Sequence, residues 1–189
     1  MKLIKILNSK IIVSLLVVII LVILGFPLLL LTEDRQGKVS FEENIELPFN
    51  VKNEIEVILL YFGYVGCETI CMPSLEEIAL ISDEFNDSKK VAFYFIDIAK
   101  DSDGAKEYAH YFHKKLIGLD LEQNETFKLM SDLKAYSSDS LRGDGEISHT
   151  GYLYLIKNSR QQNFELKYMY YTRPFDTKSI VTDIKKEFK

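Results

Sequence analysis

The most reactive side chains in this sequence are two sulfurs. Cys67 and Cys71 are its only cysteines, separated by three residues. If a helix begins near Cys71, positions i and i+4 come within the Cα separation of about 4.4–6.8 Å that a disulfide spans, so the thiols either pair or share an ion. A helix start also offers partial positive charge and unpaired N–H groups, which favour thiolate over thiol. A structural disulfide is the plainer alternative, but closing so short a loop constrains the unfolded chain little. A reactive or metal-binding pair is therefore the stronger reading, and the spacing alone does not separate redox chemistry from metal binding. Of the histidines, His110 and His113 stand three apart on an expected helix with no third ligand beside them, and read as solvated residues of one face. His149, from the residue alone, reads as a histidine packed at a strand edge.

The elements around the pair give it a position. Residues 56–62 (EVILLYF) form a short, β-rich apolar run, long enough for a buried strand and too short for a free-standing helix. Pro73 suits the first turn of a helix, and Leu75, Ile78, Ser82 and Phe85 recur at helical spacing, so a helix is expected over 73–86. A second buried strand follows over 91–98 (VAFYFIDI), then helices over 104–114 and 124–136. Strands over 151–156 and 164–170 flank a turn at 157–160. A last helix starts near Asp176, a natural N-cap, and buries Ile180 and Ile184. The order begins with a βαβ unit and ends with a hairpin and a helix, which predicts a thioredoxin-like α/β fold with its site at the carboxyl end of the first long strand. Cys67 and Cys71 fall there.

The N-terminus differs in kind. Residues 11–31 carry no charge and, at 1.5 Å per residue, cover the ~30 Å of bilayer hydrocarbon, so a single transmembrane anchor is expected. Thr32-Glu33-Asp34-Arg35 is a poor cleavage site for a signal peptide, and the absence of a nearby cysteine excludes lipoprotein processing. Lys2, Lys5 and Lys10 precede the run and Glu33 and Asp34 follow it, which places residues 1–10 in the cytoplasm and 32–189 outside it. Residues 32–53 read as a polar stalk with a short edge strand at Val39 and Phe41, and 54–189 as the domain. The net charge is −5, with the basic residues of the first 31 unopposed by acids, so the domain is acidic and nonspecific nucleic-acid binding is not expected.

Tyr61-Phe62-Gly63-Tyr64-Val65-Gly66-Cys67-Glu68-Thr69-Ile70-Cys71-Met72-Pro73-Ser74-Leu75 resembles the signature of the SCO/SenC family, membrane-anchored thioredoxin-like proteins that bind copper and help assemble cytochrome c oxidase. The similarity continues in Phe95-Ile96-Asp97 with Lys100-Asp101, in Leu116-Ile117-Gly118-Leu119, and in Ser148-His149-Thr150-Gly151-Tyr152 through Ile156. The resemblance implies that a copper ion is held by Cys67, Cys71 and His149, and that residues 54–189 are the copper-binding domain. It implies a copper metallochaperone of the inner membrane whose domain lies in the periplasm or an equivalent space. Its partners would be the copper-bearing subunit of cytochrome c oxidase and other copper chaperones or thiol reductases. The alternative is an extracytoplasmic thiol–disulfide oxidoreductase using the Cys67–Cys71 pair. Exchange of the thioredoxin type uses two intervening residues and has no need of His149, which favours the carrier.

The chain departs from the family pattern at several places. Glu68 and Thr69 replace a proline and an acid, and Pro73 falls one place late. Ile98 replaces the proline after Asp97. Ser148 replaces the aspartate before the histidine, which removes an expected carboxylate support for the imidazole. Asp97 and Asp101 occupy the family's acidic positions, where partner docking and ordinary turn capping are both open.

Overall fold

A computed structural model of the chain describes residues 13–20, 22, 37–99, 103–139, 146–159 and 163–188. It divides into two units, residues 1–36 and 37–189. In the first, residues 13–20 and 22 are helical and Val13, Leu15, Leu16 and Val22 are each more than half exposed. Among the described residues no helix is long and apolar enough to cross a membrane, and most of the expected 11–31 span lies outside them.

In chain order the second unit forms β1 (Lys38–Ile45), β2 (Val57–Gly63), α1 (Cys71–Asp83), β3 (Val91–Asp97), α2 (Ala105–Phe112), β4 (Leu116–Asp120), α3 (Gln123–Asp132), β5 (Ser137–Asp139), β6 (Ile147–His149), β7 (Leu153–Ser159), β8 (Asn163–Tyr170) and α4 (Thr177–Glu187). Six strands make one sheet in the order β1-β8-β7-β2-β3-β4. β2, β3 and β4 run parallel, whereas β7, β8 and β1 are antiparallel to their neighbours.

The central strands are buried on both faces, as strands of a covered parallel sheet must be. Their alternation divides the core. Val57, Leu59 and Tyr61 of β2 face α1 and α4 with Leu75, Ile78, Ile180 and Ile184, and Ala105 and Ala109 of α2 join them. Ile58, Leu60 and Phe62 face the other way, onto Leu129, Met130 and Leu133 around α3. The helix expected at 73–86 starts at Cys71, so Pro73 sits inside the first turn, where its missing N–H costs nothing. The Asp176 carboxylate accepts from the Ser179 N–H at 3.1 Å and caps α4.

Three elements were not expected from the sequence. β4 is an edge strand of five residues, half exposed, and the two-stranded ribbon of β5 and β6 is short and polar. β1 is longer than the edge strand expected at Val39 and Phe41, because its pairing with β8 continues past an irregularity between Ser40 and Glu43. The hairpin strand expected to end at 156 runs on to Ser159. A clamp fixes the start of β1. Lys38 Nζ lies 2.6 Å from the buried Asp183 carboxylate of α4, which also accepts from the Tyr170 hydroxyl at 2.9 Å.

Candidate metal centre

β2 ends at Gly63, and the chain then turns sharply into α1. The Cys67 N–H bonds the Tyr64 carbonyl at 3.2 Å and Gly66 adopts φ +88°, the left-handed conformation that this turn position demands. The buried Asp97 carboxylate holds the turn from the neighbouring strand, accepting from the N–H of Val65 at 3.3 Å and of Ala99 at 2.8 Å. Turn capping is therefore one role of the acid at this position, while Asp101 lies outside the described residues.

No side chain of Ile70, the N-cap of α1, closes the helix start. The Cys67 sulfur does so instead, accepting the Cys71 N–H at 3.3 Å. The thiols are unpaired and both are buried. A hydrogen bond from Cys71 is the largest influence holding Cys67 far below the ordinary thiol range, with His149 and the N–H groups of Ile70 and Cys71 adding to it against the cost of burial. The proton stays on Cys71, pushed up first by that same bond to Cys67 and then by burial. The pair is thus a thiolate with a thiol beside it. Gly63 makes room for them: a Cβ there would stand 2.8 Å from the Cys71 sulfur and 2.9 Å from the Phe95 ring.

His149 reaches the same point from 78 residues away. Leu153 pairs with Tyr61, so β7 begins beside the end of β2 and the residues just before it project past that end, over the cysteine turn. The β5–β6 ribbon fixes their path, with His149 paired to Ser137 and the Thr150 N–H bonded to the Tyr136 carbonyl at 2.9 Å. The imidazole Nε2 lies 3.4 Å from the Cys71 sulfur, and Nδ1 lies 3.2 Å from the Thr150 carbonyl. The carbonyl can only accept, so Nδ1 is the donor in that contact, and the ring is held with Nε2 turned toward the sulfurs, the orientation a metal-ligating histidine needs. Tyr61 and Tyr64 stand edge-on to the ring, at centroid distances of 6.5 and 6.0 Å.

The three ligand atoms lie within 4.8 Å of one another and all three residues are buried. This is the one group of its kind among the described residues. His110 is exposed, as expected of a solvated face. His113 is not, since it caps α2, sits 2.7 Å from the Ser82 hydroxyl and contacts the Asp83 carboxylate at 3.3 Å, a tie between helices. Sequence reasoning missed Gly63 and Thr150 as supports. The carboxylate expected before His149 is replaced by the Thr150 carbonyl, and Ser148 itself is exposed.

Two thiols at the start of α1 and an imidazole ahead of β7 thus make up the cluster. A model of the SCO1/SenC family matches residues 50–189, which include all three. The chain belongs to that family. It is 26% identical over 173 residues to the mitochondrial SCO1 homolog 1 of Arabidopsis thaliana, covering 88% of this chain and 47% of that one. A SCO2-like protein of Rickettsia conorii is 29% identical over 124 residues, covering 61% of this chain and 60% of the relative. The chain thus spans about half the length of these curated relatives. The crystal structure of Arabidopsis thaliana ScoI with copper bound superposes with a TM-score of 0.60 at 25% identity, covering 79% of this chain and 98% of that one. The family's mixed α/β, thioredoxin-like fold is therefore the fold of this chain.

Proposed function

We propose that this protein is a membrane-anchored copper carrier that loads the copper centre of cytochrome c oxidase. The observation that carries the reading is the convergence of the Cys67, Cys71 and His149 ligand atoms within 4.8 Å. Two sulfurs and one imidazole form a soft donor set that suits Cu(I), which accepts three-coordinate sites. The copper-bound relative and the family match support the assignment. In this reading Cys67 supplies a ready thiolate, Cys71 releases its proton to become the second, and His149 presents Nε2 from above. The anchor at residues 11–31, with the domain outside the cytoplasm, keeps the carrier at the membrane surface where an oxidase subunit and the chaperones or thiol reductases that supply it are found.

A thiolate beside a thiol is also the pattern of a disulfide exchanger, which makes thiol–disulfide oxidoreductase the second reading. Exchange needs in-line access to the attacking sulfur, and Cys67 is only 2% exposed. His149 separates the two. In the carrier, His149→Ala in the full-length protein weakens Cu(I) binding and blocks oxidase maturation while a Cys67–Cys71 disulfide still forms on oxidation. Wild-type copper binding and oxidase assembly by His149→Ala would instead place the oxidoreductase ahead. A reporter active only outside the cytoplasm should work when fused after Lys189 and fail when fused at the N-terminus. The reverse result would overturn the orientation.

A further inference from the structure

The first bond of α1 joins the Ser74 N–H to the Ile70 carbonyl at 3.3 Å. Ahead of it the pattern changes. A helix would pair the Cys71 N–H with the carbonyl four residues back, that of Cys67. That N–H goes to the Cys67 sulfur instead, and the Cys67 carbonyl accepts the Tyr108 hydroxyl of α2 at 3.3 Å, across 41 residues of chain. One carbonyl thus has two candidate donors, and the donor that holds it decides where the other points.

Tyr108 is placed for this contact by its own helix. Its ring packs against those of Phe95 and Phe112, at centroid distances of 5.5 and 5.3 Å. α2 sits close against the sheet because β4 has Gly118 opposite the helix start, where any Cβ would overlap the Ala105 carbonyl. The same start lies beside the cysteine turn, since a Cβ on Gly104 would meet Val65 at 3.7 Å. The phenol therefore has a fixed reach, and its target is the backbone of a metal ligand.

We propose that Tyr108 is a positioning residue for the Cys67 ligand: by occupying the Cys67 carbonyl, its hydroxyl leaves the Cys71 N–H to the Cys67 sulfur. The inference rests on the copper reading. Cys67 is buried, so its carbonyl has to find a donor. Without the phenol oxygen that donor is the Cys71 N–H, whose transfer would add a helical turn over residues 68–70 and strip the sulfur of the bond that aims it. Supports of this kind orient a ligand without touching the ion, and they set much of a site's affinity.

Tyr108→Phe in the full-length protein tests the role, since it removes one oxygen and leaves the ring packing. In the metal-free variant the α-carbon chemical shifts of Glu68, Thr69 and Ile70 should move toward helical values, a change that a hydroxyl serving only stability would not produce. Its Cu(I) affinity, measured in competition with bicinchoninate, should be about three- to tenfold weaker, the factor set by one hydrogen bond of ordinary net strength. The thiolate-to-Cu(II) charge-transfer band should shift as well. Tyr111→Phe is the control, a phenol of the same helix that is 81% exposed, and it should bind Cu(I) like the unaltered protein. Wild-type carbon shifts or wild-type affinity in Tyr108→Phe, or an equal loss in Tyr111→Phe, would overturn the positioning role while leaving the copper site standing. Failure of the unaltered protein to bind Cu(I) would overturn the copper reading and this role with it.

Discussion

The two halves of the metal centre are built to different standards of rigidity. The cysteine turn grows out of the most buried strand of the sheet, starts a helix, is capped by Asp97 and is packed against Gly63 and Phe95. The histidine arm is a ribbon of two three-residue strands that leads into the start of β7. Thiol positions are thus set by the core, and the imidazole position by a local ladder and one backbone carbonyl. The sulfurs are tied to the core by their own strand and helix, and the nitrogen by a short ribbon.

If that contrast is right, the sulfurs should matter most. Cys71→Ser should lower Cu(I) affinity by well over the roughly 100-fold that bounds the loss of a supporting group, and His149→Ala should cost less than Cys71→Ser. Competition titrations of the two variants in parallel check this, and equal losses would break the comparison. Gly63→Ala comes next. With a methyl 2.8 Å from the Cys71 sulfur, it should destabilise the domain by about 1–3 kcal/mol, read as a lower urea midpoint, whereas changes in the ribbon should leave the midpoint near wild type.

The pH dependence is a further discriminator. Because Cys67 is held low, it is already a thiolate at neutral pH, while Cys71 is held high and must lose its proton to bind. Protons therefore compete with the metal at one sulfur: Cu(I) affinity should fall about tenfold for each unit of pH decrease through the neutral range, with one proton released per ion. Calorimetry in buffers of different ionisation enthalpy counts that proton, and a count of two would show that Cys67 is not preformed. The smallest effect is expected at Ser148→Asp. The Thr150 carbonyl already holds Nδ1 and Ser148 is exposed, so the added carboxylate should change affinity by less than about threefold, far below the usual range for a supporting partner. A larger gain would mean that the arm can be re-aimed by its support.

The same contrast decided what could be read from the sequence. The cysteine turn was legible because its signals are local: an apolar β-rich run, a spacing of four, and helical periodicity from Leu75 onward. His149 carries no such signal, being brought to Cys71 by a ladder between residues far apart in the chain, and only family resemblance pointed to it. The ribbon was illegible because SSD and ISH are too short and too polar to show alternation. β4 was hidden for a similar reason, since LIGLD is half exposed at the sheet edge. The expectation of a missing carboxylate beside His149 was sound as sequence reasoning, but a backbone carbonyl supplies the same hydrogen bond and leaves no trace in side-chain identity.

The irregular pairing of β1 with β8 bears on self-association. A sheet edge offers unpaired N–H and C=O groups to any other strand, and two copies of a flat edge would zip together. β1 interrupts that template between Ser40 and Glu43, the point where it also exposes Glu42 and Glu43 to solvent. At the opposite edge β4 is only five residues long and closes on Asp120. Both borders are thereby poor templates for strand addition, one bent and charged and the other brief, so high local crowding need not convert neighbouring copies into aggregates.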